Sequence, residues 1–288
     1  MSRAGDQEAA ARSLTDEQPM TAYSDQDLES MLSDLESGSF DAQPVRSATL
    51  ADLSRWRFEE SYLPSAFSAD VLAANDRSYE QRLAATKMIV SVDEPTPTVA
   101  GILVLGLRPR DFLPGAYVQF LRVAGLEWGD PVHDEALLEG PIEDMARRID
   151  EKLAAHNRTA VDFTSGSVEI RTSTYPMAAL QQLVRNAILH RTYEGTSSPI
   201  RVYWFDDRIE IVSPGGPYGI VTSESFGEPG VVDYRNPILA EAMRVLGLVQ
   251  RFGFGIQTAR RELREKNHPD PEFLVEPTRV HCTVRARR

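Results

Sequence analysis

The stretch LQQLVRNAILHRTY, Leu180–Tyr193, decides how the chain is read. At helical spacing Leu180, Leu183, Val184, Ala187 and Ile188 form one apolar face, and Pro176 pre-sets the first turn. Gln182, Asn186 and His190 recur every four residues on a second stripe. A polar stripe on an amphipathic helix ordinarily faces solvent. An interior Asn, however, competes for backbone hydrogen bonds and weakens a helix, so its presence points to a contact. The stripe faces either water or a ligand.

Downstream of this helix the choice narrows. PIRVYWF and DRIEIVS alternate in polarity and read as two strands joined by a tight hairpin at Asp206-Asp207. A Gly/Pro loop, PGGPYG, comes next, then the helix NPILAEAMRVLGL with Asn236 as N-cap and Pro237 in the first position. RFGFGIQTARRELREKN is a glycine-flanked loop opening another helix, and TRVHCTVRAR is a final strand. A glycine loop at a helix N-terminus directs free N–H groups and the positive end of the dipole at an anion. Gly253 and Gly255, lacking Cβ, would let a phosphate approach the backbone, with Arg251 beside them to add charge. A GxG before a helix is, by itself, more often a tight turn.

Upstream, GPIEDMARRIDEKLAAHN is a helix with the stripe Ile142, Met145, Ile149 and Leu153, and with Glu143 and Asp144 near its positive end. TAVDFTSGSVEIRTS reads as a hairpin around Ser165-Gly166, and AYVQFLRVAG (Ala116–Gly125) as a strand. AGILVLGL (Ala100–Leu107) is a short apolar run bounded by turn signals and is expected to be a buried strand. SATLADLSRWRFEESYL and RSYEQRLAATKMIV are expected to be helical, and FDAQPV an extended linker. Residues 1–40 are rich in Asp, Glu, Ser, Gln and Ala, with too little apolar surface to offset the entropy of ordering; one short helix, SDQDLESMLSDLE, is expected within them.

Composition sets the outer bounds. The 288 residues suffice for one large or two small domains. One cysteine, Cys282, excludes an internal disulfide framework and a cysteine zinc site within one chain; its alternating flanks, Val280 and Val284, make it a strand thiol rather than a nucleophile. A net charge of -12 makes direct nucleic-acid binding by the whole surface doubtful. No apolar run reaches the roughly 20 residues of a membrane span. The polar first residues lack a secretory core, so a cytoplasmic location without membrane contact is expected.

The runs AALQQLVRNAILHRTY, SPIRVYWFDDRIEIVSPGG, YRNPILAEAMRVLGLVQRFGFGIQTARREL and PEFLVE, in that order and with similar gaps, resemble the C-terminal ATP-binding region of the RecG-related bacterial putative transcriptional regulators. The likeness spans roughly residues 44–275. Members of that family pair a Schlafen/AlbA-type N-terminal domain with a divergent GHKL-type (Bergerat-like) ATPase fold. In the GHKL pattern one helix offers a Glu and, four residues on, an Asn that binds Mg²⁺ carrying the ATP phosphates. The resemblance therefore implies ATP and Mg²⁺ as cofactors, with Asn186 as the metal ligand. The Glu position falls on Gln182, a neutral amide that cannot take a proton, so general-base help typically worth about 10²–10⁴-fold should be missing. His190 and Arg191 match the His-Arg pair near the phosphates. Ser213, Gly215 and Gly216 stand at the glycine box that contacts adenine, although its Asp has no evident counterpart. Arg251, Gly253 and Gly255 match the phosphate-lid glycines. Where the resemblance implies an AlbA-type domain this sequence has the acidic segment, so that domain is not expected within it.

The expected architecture is α+β: a tail at 1–43, a smaller α/β domain at 44–157, and a two-layer Bergerat-like domain with a mixed sheet at 158–288. The expected function is regulatory nucleotide binding with slow hydrolysis or none, closure of the 217–234 region ordering the site. The alternatives are a degenerate domain serving dimerisation or protein interaction, and a DNA-binding regulator. A homodimer, or a partner chain of AlbA or DNA-binding type, are the macromolecular partners considered.

Overall fold

A mixed six-stranded sheet, in the order β2-β1-β5-β6-β8-β7, carries one layer of helices on one face. The computed structural model describes residues 38–157, 159–162, 170–249 and 253–287. The acidic segment 1–37 with its expected helix, the hairpin tip Ser165-Gly166, and Arg251 lie outside the described residues.

β1 (Tyr117–Val123) pairs antiparallel with β2 (Val132–Glu139) and parallel with β5 (Ile200–Trp204). β6 (Arg208–Pro214) joins β5 through the expected hairpin, and β8 (Arg279–Arg285) links β6 to β7 (Glu272–Glu276). β3 (Thr159–Asp162) and β4 (Ile170–Ser173) form a separate two-stranded ladder. Strand alternation puts Val118, Phe120, Ile200, Val202, Ile209, Ile211, Cys282 and Val284 on the buried face. Each fully buried Val, Leu, Ile or Phe contributes about 1.5–3 kcal/mol.

The helices bearing on the site are α1 (Val99–Leu105), α2 (Ile142–His156), α3 (Met177–His190), α4 (Pro237–Val245) and α5 (Gly255–Glu265). α2 packs on β1 and β2, α3 on β6, and α5 on α3. The mixed sheet and its helix layer make the chain α+β, as expected.

Several expectations are corrected. The segment Ala100–Leu107 is a helix at Val99–Leu105, not a strand; every residue of it is buried. A short apolar run is compatible with either form, and the N-cap decides: Thr98 Oγ accepts the Gly101 N–H at 3.0 Å. The chain from Ser54 to Ala66 runs as Arg55–Arg57, a π turn at Phe58–Tyr62, and Leu63–Ala66. The linker FDAQPV is partly ordered, because Phe40–Ala42 forms a 3-10 turn and Asp41 is fully buried. The Asp41 carboxylate accepts the Leu239 N–H at 2.9 Å, capping α4 from far away in the chain. Asn236, the expected cap, instead donates its amide to the carbonyls of Leu189 (2.7 Å) and Arg191 (2.9 Å) at the end of α3. Beside these corrections, β1 and β5, on either side of 157/158, are neighbours in one sheet, and residues Ser39–Arg288 cluster as one unit.

Candidate functional site

α3 buries Ala179, Leu180, Leu183, Val184, Ile188 and Leu189 against the sheet and its neighbours. Its second stripe, Gln182, Asn186 and His190, is partly exposed and faces a cavity of about 480 Å³, within the range of small-molecule sites. Ile211 and Ser213 of β6 and Cys282 of β8 lie at its base. The segment after β6 and the start of α5 wall it in.

The start of α5 meets α3 directly. A Cβ built on Gly255 would lie 2.8 Å from both side-chain polar atoms of Asn186. Gly253 has φ +66° and sits against Val232, whose Cγ2 would be 2.3 Å from an added Cβ. The wall is fastened by Gln257 Nε2 and an Arg260 guanidinium N–H, which donate to the Gly227 carbonyl at 2.7 and 2.9 Å. Phe226 of that wall packs on Phe273 of β7, ring centres 5.3 Å apart.

His190 stacks on Tyr234, centroids 5.5 Å apart and planes inclined by 16°. Burial, and then the nearby Arg235 charge, lower its pKa to about 4, so the imidazole is neutral at pH 7. Ser213 Oγ donates to the Ala187 carbonyl at 3.1 Å, tying β6 to α3. Gly215 (φ +97°) donates its N–H to Thr278 O at 2.8 Å. At Gly216 a Cβ would come within 2.4 Å of the Pro277 carbonyl oxygen. The glycines of the SPGG loop are thus required by chain packing against the β7–β8 turn and Thr192. Burial pushes the Cys282 thiol far up, as befits a strand thiol and not a nucleophile.

Of the residues singled out in the sequence, Gln182, Asn186, His190, Ser213, Gly215, Gly216, Gly253 and Gly255 all line this cavity. Arg191 does not. Its side chain is 1% exposed and turns into the core, donating to the carbonyls of Gly115, Thr192 and Ser198 while lying over the Tyr193 ring. The chain bends away from the cavity after His190, where Arg191 takes an extended conformation as the C-cap of α3. Arg251 lies outside the described residues.

Sequence reasoning missed Asp233, Tyr234, Phe226 and Glu228, which also line the cavity. The only signal for them was the glycine spacing at Gly219, Gly227 and Gly230, each with positive φ, which marks a segment folded on itself. A second cavity of about 450 Å³ lies by Arg122, His133, His156 and Asp206. Three of its polar groups are committed: Arg122 pairs with Asp206 at 2.5 Å, and His156 with Asp134 at 2.7 Å.

Residues 197–284 match the family described as putative ATP-dependent DNA helicase RecG C-terminal. The matched segment begins after α3. Among solved structures the chain is similar to the DIP2311 protein from Corynebacterium diphtheriae, a structural-genomics target. The TM-score is 0.64 at 23% identity, over 89% of this chain and 50% of that one. This chain therefore spans about half the length of that protein, and the likeness is one of fold. No curated protein matches. The matched segment, with the mixed sheet and its helix layer, supports a RecG-related, GHKL-type C-terminal domain.

Proposed function

We propose that the cavity between α3, α5 and the 215–234 segment binds a nucleotide and that the protein serves as a nucleotide-sensitive regulator. The observation that carries the reading is the contact of Asn186 with Gly255: two features 69 positions apart by number meet on one cavity of about 480 Å³. ATP is the nucleotide implied by the matched family. Hydrolysis is slow or absent, because Gln182 presents a neutral amide where a proton acceptor would be needed.

Asn186 can offer one neutral oxygen to Mg²⁺. Among the described residues no group of three or more His, Cys, Asp or Glu is placed to hold an ion. Magnesium at this site would take most of its ligands from nucleotide phosphates and water, as this ion commonly does. The ion would supply charge neutralisation; the protein would supply orientation through Asn186.

A thermal-shift scan across ATP, ADP and GTP, each with Mg²⁺, tests the reading. A ligand that binds only the folded chain raises the midpoint by mass action. A dose-dependent rise with at least one nucleotide is expected. Unchanged midpoints, together with no binding of a fluorescent ATP analogue, would leave the second reading: a degenerate domain used for dimerisation or protein interaction. The withdrawal of Arg191 into the core favours that alternative.

A further inference from the structure

We propose that the face of the six-stranded sheet turned away from α2 and α3 is the surface on which two copies of this chain pack. The cavity lies on the other face, so the inference does not depend on what the cavity binds.

The first support is what that face exposes. α2 and α3 pack on the side where Val118, Phe120, Ile209 and Ile211 are buried. The side chains that alternate with these point the other way. Strand register runs one row of them across all six strands, in the order Leu137, Gln119, Arg201, Val212, His281 and Leu274. Leu137 is 43% exposed, Leu274 is 54% exposed, and Val212 between them is half-buried. The neighbouring row begins Glu135, Leu121, Tyr203. Over Tyr203 stands the ring of Trp128, 58% exposed, edge-on with centroids 4.5 Å apart. Exposed apolar and aromatic groups spread along one face gain by losing water.

The second support is charge, which decides the occupant. In these two rows Glu210 pairs with Arg208 at 2.6 Å and faces His281 at 3.4 Å, and Glu272 pairs with Arg285 at 2.9 Å. Two charged groups remain. Among the described residues, Glu135 and Arg201 make no ion pair and no side-chain hydrogen bond. They stand in adjacent rows on β2 and β5, with β1 between them, about 10 Å apart across the strands. One free carboxylate and one free guanidinium make the face its own complement. A two-fold axis sets each Arg201 against the partner's Glu135, as an isologous interface requires. A partner of a single charge sign would leave one of the two unpaired where water is excluded, which is unfavourable.

The third support is size, which sets the strength. Six strands about 4.8 Å apart and about 17 Å long offer roughly 500 Å² per copy. A stable complex buries about 800 Å² per partner. The dimer is therefore weak and exchanging, with a Kd of about 10–100 µM.

Sedimentation equilibrium of the full chain from about 1 to about 300 µM tests this. A monomer–dimer equilibrium is expected. Arg201→Glu and Glu135→Arg are each expected to weaken it about tenfold or more, with thermal midpoints as the folding control. Leu137→Asp, in the exposed row, is a third variant expected to weaken it. Mixed in equal amounts, Arg201→Glu and Glu135→Arg are expected to form a heterodimer at least as tight as the parent dimer. The introduced carboxylate then meets the introduced guanidinium, and the native Glu135 of one copy meets the native Arg201 of the other. A chain that stays monomeric over the whole range overturns the proposal. A dimer that both charge variants leave intact, or a mixture that associates no better than either variant alone, overturns it too, because the contact then lies on another surface.

Discussion

Arg191→Ala separates what the family resemblance implies from what the fold does with this residue. Arg191 donates to Thr192 O at 3.0 Å, to Ser198 O at 3.1 Å and to Gly115 O, and its guanidinium lies 4.5 Å from the Tyr193 ring centre. Gly115 O also accepts the Tyr117 N–H at 2.8 Å, so truncation leaves the carbonyls of Thr192 and Ser198 short of a donor. Each orphaned acceptor, half-buried here, costs about 1–3 kcal/mol, which gives roughly 4 kcal/mol for the two. In a chain of this size about 1 kcal/mol moves the melting midpoint by about 2–4 °C, so a fall of about 8–16 °C is expected. Urea unfolding and thermal melts measure the loss. A titration with a fluorescent ATP analogue, at a temperature where parent and variant are both folded, should show affinity unchanged within about twofold. A variant as stable as the parent but unable to bind the analogue would refute the structural role and restore Arg191 to the phosphates.

His190, half-buried at the cavity wall and neutral, makes stability depend on pH. Its folded pKa of about 4 lies below the unfolded value of 6.5, so the unfolded chain takes up the proton first as pH falls. The stabilisation is complete above pH 6.5 and is lost between there and pH 4. Between pH 7 and pH 5 this amounts to about 2 kcal/mol by linkage. His190→Phe keeps a ring on Tyr234 and should flatten that part of the curve; urea unfolding at the two pH values reads it, and an identical slope in both proteins would contradict the assignment. Gly216→Ala drives a methyl onto the Pro277 carbonyl, 2.4 Å away, and should cost about 1–3 kcal/mol by overpacking, measured by chemical denaturation; a neutral result would show that the β7–β8 turn yields freely. Asp41→Ala removes the cap of α4 and should cost about 1–2 kcal/mol. Burial raises the Asp41 pKa, so this carboxyl is costly to keep charged, and Asp41→Asn should lose less than Asp41→Ala; the reverse order in melting midpoints would contradict that balance.

Much of the site was legible because local patterns carry it. The spacing of Gln182, Asn186 and His190 fixes a common helix face whatever surrounds it, and eight of the ten residues singled out do line one cavity. The hairpin at Asp206-Asp207 was equally readable from alternation and turn residues. Edge strands were not: β2 turns Asp134, Ala136 and Leu138 inward and leaves its other residues exposed, and with an Asp on the inner face and Val132 and Leu137 on the outer one its sequence shows no polar–apolar alternation. Nor was the helical state of Val99–Leu105, where burial on every side erases the period that distinguishes helix from strand.

The sequence by itself determined which helix faces are apolar, where turns fall, and that Gln182 cannot act as a base, because these depend on residues a few positions apart. Tertiary structure decided the rest. It placed Asn186 against Gly255, turned Arg191 into the core beside the chain leaving α3, and brought Asp41 onto the N-terminus of α4. Those outcomes depend on which distant backbone groups need a partner once water is excluded, and only the packed chain determines that.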